Sequence, residues 1–468
     1  MDFYICVLAF ACLFQFPVQA IFDGRYAVGV MQTRPKNNTQ SIKDYCEAML
    51  YCEFDDLMVY PEGTLNDLNS ATYVPDPADN VTPYKNKTYE NNEVMRAISE
   101  ATAANYVYVV INLYERVNCT NRTTNCPPRG YFIYNTNVAF NRSGAVIARY
   151  RKYNLNGERG VDAPKTAELV TFTTDFNITF GLFTGWDILF RSPAADLVRE
   201  KKVKNIIFPN SWRGELPFLT GVQLQTGWSY SMDVNLLAPG VNKPSSGYSG
   251  TGIYKRRNYS FTCMNDREKD FVLMTKLALN ESRSFPAEST VKGELNLGED
   301  PTIRSSAGVK LDMNAAWYQS NVCHGDFCCD FTLEYTALDI PNPNNYTYRA
   351  VAFRGRRKFG ENVEREVAYC AVVLCTNGNC AKKPGNGIYP IHFKHMRVEA
   401  QFEGKDTLQM PTVLSWDNLD RENFLLISQY LFSFDSKKVR ANTSTAYIER
   451  NYIFENAVTF GIYSISYS

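Results

Sequence analysis

Histidine is scarce in this chain, with three in 468 residues, at positions 324, 392 and 395. Catalytic arrangements that depend on an imidazole are therefore excluded from everything before His324. Net charge is absent as well: 49 basic residues stand against 49 acidic ones. That balance removes the electrostatic case for nucleic acid or an anionic membrane surface. Beyond the extreme N-terminus no run approaches the roughly 20 apolar residues of a membrane-spanning helix. The C-terminal ENAVTFGIYSISYS lacks the long apolar tail of a lipid-anchor signal. No cysteine lies between Cys126 and Cys263, so that whole stretch offers no thiol nucleophile. Internal repeats and low-complexity tracts are missing too.

What is present points to the secretory route. The first 20 residues, MDFYICVLAFACLFQFPVQA, carry an apolar stretch of signal-peptide length ending in Val18-Gln19-Ala20, without the usual basic n-region. Residues 1–20 are expected to be a signal peptide and the mature chain a soluble, secreted, extracellular protein. N-x-S/T triplets occur at Asn37, Asn80, Asn86, Asn118, Asn121, Asn141, Asn177, Asn258, Asn280, Asn345 and Asn442. With a leader, these predict a glycoprotein whose acceptor loops face solvent.

In an oxidising compartment most of the remaining cysteines should pair. Cys119 and Cys126 bracket a polar loop and make a local pair. Cys46 and Cys52 are a weaker pair, because a helix there would hold them apart. Cys323, Cys328, Cys329, Cys370, Cys375 and Cys380 form a late cluster whose connectivity spacing does not fix. Cys263 is left as the odd thiol. VCHGDFCCD has zinc-type ligands but matches no standard spacing, so disulfides are the expected use and no metal or cofactor is expected.

Residues 21–285 alternate strand-like and helix-like segments. RYAVGVMQ and DDLMVYPEG read as strands around the amphipathic TQSIKDYCEAMLYCEF. NNEVMRAISEATAANY is a helix feeding VYVVINLYE, and GYFIYNTNVAFNRSGAVIARYRKYNL is a hairpin turning at residues 141–144. ADLVREKKVKNIIFPNSW and GVQLQTGWSYSMDVNLLAPG each run helix then strand. This is an α/β pattern around a buried sheet. The Pro-, Gly- and charge-rich segment at 282–306 suggests a boundary near residue 285. The alternating runs beyond it (DFTLEYTAL, REVAYCAVVLC, FLLISQYLFSF, AVTFGIYSISYS) predict a β-rich, disulfide-stapled domain over 286–468.

Three strand ends draw chemical interest. Glu62 closes MVYPEG, Lys152 ends the hairpin in RYRKYNLNGE with Glu158 six residues on, and Gly185 follows FNITFGLFT. Each alone reads as an ordinary solvated turn or permissive glycine. In a sheet whose strand ends line one crevice they could converge.

Taken together, VYPEG, ARYRKYNLNGE, GLFTGWDILFRSPA, KVKNIIFPNSW, LQTGWSYSMDVNLLAPG and SGTGIY resemble the carbon–nitrogen hydrolase (nitrilase) superfamily. Within it they resemble the vanin and biotinidase branch of secreted amidases, and the likeness continues into VCHGDFCCDFTLEY and the later cysteines. The resemblance implies a four-layer α-β-β-α domain followed by a β-rich domain. It implies Glu62 at the general-base position, Lys152 at the oxyanion position and Glu158 at the second glutamate. It also implies that Gly185 stands where relatives carry the nucleophilic cysteine, within Thr-Cys-Phe-Asp-Ile-Leu-Phe. A covalent mechanism needs that thiol, a base to deprotonate it and a preplaced cation for the tetrahedral intermediate. Thr184 has a counterpart in relatives beside the working cysteine and should face away, since successive strand side chains alternate. The expectation is a pseudoenzyme in which glycine frees pocket volume for a pantetheine-like or biotinyl amide. The alternative is a working hydrolase of linear amides that uses Glu62 and Lys152 with water or another nucleophile. A third possibility is an interaction role centred on the second domain.

Overall fold

The computed structural model describes residues 26–467, apart from 51–55, 121–124, 265–267, 269, 278–281, 287–294, 362, 386–388, 405, 417–424, 429–432 and 441. The expected signal peptide, Cys52 and the acceptors Asn121 and Asn280 lie outside the described residues.

The first half is built on two sheets. One contains β1 (Ala27–Thr33), β2 (Leu57–Val59), β3 (Tyr108–Asn118), β4 (Tyr131–Phe140), β5 (Val146–Arg151), β14 (Phe271–Lys276) and β15 (Ser282–Pro286), in the order β15-β14-β1-β2-β3-β4-β5, with β11 (Gly240–Val241) beside β1. The other contains β6 (Thr171–Thr173), β7 (Thr179–Leu182), β8 (Asn205–Ile207), β10 (Asn235–Ala238), β12 (Thr251–Lys255) and β13 (Tyr259–Cys263), in the order β13-β12-β10-β8-β7-β6. Short β9 (Glu215–Leu216) pairs with β16 (Gly298–Glu299).

Period-two alternation lets each strand serve two layers. Met31, Met58, Val109 and Ile111 face α1 (Asn38–Leu50) and α2 (Glu93–Ala104), meeting Tyr45, Met49, Met95 and Ile98. Their neighbours Val30, Leu57, Val59 and Val110 face the second sheet, meeting Phe180, Leu182, Ile206 and Leu236. On that sheet's far side lie α3 (Asp196–Arg199) and α4 (Gly221–Met232). The result is the expected α-β-β-α arrangement. Helix starts follow capping chemistry: Asn92 accepts from the Met95 N–H at 3.2 Å, and Thr220 forms a capping box with Gln223.

The second half is an antiparallel sandwich. One sheet has the order β17 (Ala307–Lys310), β20 (Tyr346–Phe359), β21 (Val363–Thr376), β27 (Ala457–Ser466), β23 (Thr407–Ser415). The other runs β18 (Trp317–His324), β19 (Phe327–Ala337), β22 (Ile391–Glu403), β26 (Thr443–Arg450), β25 (Ser433–Arg440). Burial along β19 alternates almost strictly, as expected for a strand with one face in a core. Disulfides join Cys119–Cys126, Cys323–Cys328, Cys329–Cys370 and Cys375–Cys380. The third ties β19 to β21 and so staples the two sheets; the others close local turns. Cys46 and Cys263 are buried and lie outside these four bridges.

One strand departs from the sequence expectation. FLLISQYLFSF, read as part of the second domain, contributes β24 (Leu425–Ser428), which pairs antiparallel with β13 of the first half. The edge of β13 offers unpaired backbone groups, and an apolar strand from elsewhere in the chain can satisfy them.

Candidate functional site

Four strand ends meet between the two sheets of the first half. Glu62 lies just beyond β2 and Lys152 just beyond β5, both from the first sheet. Gly185 opens a short 3-10 turn, Gly185–Leu189, after β7, and Ser211 follows β8; both come from the second sheet.

The centre is a buried ion pair. Lys152 Nζ lies 2.7 Å from Glu62 Oε1 and 2.5 Å from Glu158 Oε1. The Lys152 side chain is 1% exposed, Glu62 6% and Glu158 24%, so Glu158 is the member facing outward. Burial raises the Glu62 carboxyl against the pull of Lys152. Burial works against the Lys152 ammonium, but Glu62 and Glu158 outweigh it and hold its pKa above the ordinary lysine value. Glu62 is further fixed by the Asn135 amide at 2.9 Å on Oε1 and by the Ser211 backbone N–H at 2.9 Å on Oε2. Glu158 Oε2 is buried with no hydrogen-bond partner among the described residues.

Gly185 is buried, with φ +50°, a conformation that side-chain-bearing residues rarely adopt. A Cβ at this position would stand 2.5 Å from Glu62 Oε2 and 2.9 Å from Lys152 Nζ. Glu62, Lys152 and Gly185, far apart in sequence, thus share one centre, and Glu158 reaches it through Lys152. The expected free volume beside the glycine is not there. The charged ends of Glu62 and Lys152 occupy the place a side chain would take, because their mutual attraction and the Asn135 and Ser211 contacts draw them onto the bare backbone.

Several supporting residues went unrecognised in the sequence. The Asn112 amide donates to Asn135 Oδ1 at 2.6 Å and Asn137 Oδ1 at 2.9 Å, and accepts from the Gly63 N–H at 2.8 Å. This buried amide chain orients Asn135 toward Glu62. Its signal was available: asparagine is depleted in strands, yet VVINLY and IYNTNV place three on buried strands. Asp187 is the second. It accepts from the Tyr150 hydroxyl at 2.6 Å, the Asn154 N–H at 2.9 Å and the Thr184 N–H at 3.1 Å. It thereby ties the turn holding Gly185 to the segments on either side of Lys152, and burial lifts its pKa to about 6. Tyr114 is pushed up to about 12, first by burial and then by Glu62 and Glu158.

The nine described acceptor asparagines lie at the surface: Asn86 and Asn141 are half-buried and the other seven exposed. No cluster of metal-ligating side chains occurs among the described residues, and no helix there is long and apolar enough to cross a membrane.

Residues 27–219 match the family of carbon–nitrogen hydrolases, and residues 295–468 match the vanin C-terminal domain. Vanin-like protein 2 of Drosophila melanogaster is 31% identical, covering 100% of this chain and 94% of that protein. Human pantetheinase is 34% identical over 65% of this chain and 60% of its own length. Human biotinidase is 27% identical over 70% of this chain and 68% of its own length. With a glutamate, a lysine and a turn gathered between two sheets of this fold, and near-full-length likeness to a vanin-like protein, the chain belongs to the vanin and biotinidase family of carbon–nitrogen hydrolase-like proteins.

Proposed function

We propose that this chain is a secreted, catalytically silent member of its family that binds a small linear amide, pantetheine-like or biotinyl, without cleaving it, once the charged ends of Glu62 and Lys152 withdraw from Gly185. The carrying observation is the glycine at 185, where the Cβ direction points straight into the Glu62–Lys152 pair. A base and a cation are aimed at one point, and that point carries no nucleophile. In this reading Glu62 is the proton-acceptor position, Lys152 the oxyanion position and Glu158 the second glutamate. Removing the nucleophile from a comparable covalent enzyme lowers turnover on the order of 10⁶-fold. Relatives named pantetheinase and biotinidase supply the amide class. The four disulfides and the surface position of the acceptor asparagines support secretion and glycosylation. The boundary near residue 285 belongs to the same proposal.

The test is calorimetric titration of the secreted full-length protein with pantetheine and with biotinamide. Saturable heat with recovery of intact amide is expected. Absence of binding by either amide would sink the ligand reading, and release of amine lost in Glu62→Gln would favour a water-using hydrolase.

A further inference from the structure

The tip of the β20–β21 hairpin comes from the second half of the chain, yet it lies against the elements that build the centre in the first half. Phe359, the last residue of β20, is 3% exposed, and its ring meets Trp186 edge-on at 6.1 Å. Trp186 is the residue after Gly185 and is also tilted against Trp212 at 5.7 Å; Trp212 follows Ser211, whose N–H holds Glu62. Across the hairpin, the Arg365 guanidinium lies 4.8 Å over the ring of Phe190, at the other end of the Gly185 turn. The turn residue Gly360 has φ +63°, and a Cβ there would be 1.8 Å from Asn156 Oδ1. The hairpin backbone therefore rests directly on the loop between Lys152 and Glu158.

An anchor holds this tip in place. Arg357, nearly fully buried, donates to Asp300 Oδ2 at 2.6 Å, to the Tyr463 hydroxyl at 3.0 Å and to Glu215 of the first half, while its guanidinium stacks 4.5 Å over Phe359. Cation stacking and a forked ion pair fix both the position and the ring plane of Phe359.

We propose that the β20–β21 hairpin is a lid on the Glu62–Lys152 centre, with Phe359 as the latch on Trp186 and Arg357 as the anchor of the latch. Access to the centre then depends on the second half of the chain. A ligand reaches Gly185 only when the hairpin lifts from the turn and the 153–160 loop. This rests on the reading of Glu62, Lys152 and Gly185 as the ligand centre, but its test needs no ligand.

The test places a reporter thiol at the centre of the full-length chain with Gly185→Cys and follows its alkylation by iodoacetamide, alone and combined with Phe359→Ala. Alkylation at least tenfold faster with Phe359→Ala is expected; equal rates would overturn the lid. Should the strained backbone at 185 keep the reporter variant from folding, hydrogen exchange decides between wild type and Phe359→Ala. Faster exchange across residues 153–160 and 185–190 supports the lid, and superposable exchange overturns it. Faster opening without any amide binding would leave the lid standing and remove only the ligand reading.

Discussion

Among the described residues two buried cations are each held between two carboxylates, and they serve different ends. Lys152 sits between Glu62 and Glu158 inside the first half; Arg357 sits between Asp300 and Glu215 where the halves meet. The terminal nitrogens of the arginine are held by Asp300, Tyr463 and Glu215 and its plane stacks on Phe359, with Nε left without a partner among the described residues, which suits a joint. The lysine is a compact charge on a flexible stem, and beside it lie a bare glycine and a Glu158 oxygen without a partner among the described residues. Each centre keeps one buried polar atom without a partner among the described residues, Nε of Arg357 and Oε2 of Glu158, but only the lysine centre faces a bare backbone position. A buried ion pair is weak evidence for stability by itself, whereas breaking one is costly. The bare glycine facing the lysine centre, and not the ion pairing, therefore separates the two roles.

The largest effect is expected at the joint. Arg357→Met should cost about 3–5 kcal/mol by leaving Asp300 and Glu215 unpaired, read as a lower midpoint in denaturant unfolding. An unchanged midpoint would show that the halves dock without it. Removing the Cys329–Cys370 staple with Cys329→Ser and Cys370→Ser together should cost about 2–5 kcal/mol. Its loss should fall on the second half, visible as early exchange in β19 and β21 while α1 and α2 stay protected.

Lys152→Met should destabilise by less than Arg357→Met, because Glu62 can take up a proton. The sign follows from Glu62, whose pKa already lies above the ordinary value. Without Lys152 it rises further, so the folded state binds a proton that the unfolded state does not. The variant should regain stability as pH falls toward the ordinary carboxylate range. A variant deficit that grows on acidification would contradict this.

The smallest expected effect is at the turn. Asp187→Asn alters the hydrogen bonding of the buried turn, at a cost of about 1–3 kcal/mol near pH 4. Wild-type Asp187 has a pKa of about 6 rather than 3.8. Its contribution is fully present below about 3.8 and is lost as pH rises through about 6. The gap between wild type and variant should therefore narrow from pH 4 to pH 7 in thermal melts, and a gap that widens would reverse the assignment.

Much of this was legible in the sequence, and the gaps have physical reasons. The period of the apolar residues gave the elements: GVQLQTGWSYSM became a helix, and DFTLEYTAL lies in a strand with one buried face. Glu62, Lys152 and Gly185 each read alone as ordinary turn residues and stood out only because their motifs together resemble the carbon–nitrogen hydrolase superfamily. The Asn112–Asn135–Asn137 chain stayed hidden because its meaning is a hydrogen-bond direction, which no spacing encodes. Arg357 was invisible for another reason: its partners Glu215, Asp300 and Tyr463 are scattered, and only the docking of the halves gathers them. The volume beside Gly185 was misread because a missing side chain reads as space until its charged neighbours are seen to fill it.

The most direct test of the central claim is amine release from a pantetheine amide and a biotinyl amide by the wild-type protein, with Gly185→Cys in parallel. The account predicts no release above background from the wild type, and acylation of the new thiol wherever Glu62 and Lys152 can retreat from it. Wild-type release that disappears in Glu62→Gln would contradict it, because the centre would then be hydrolysing amides without a nucleophile at residue 185.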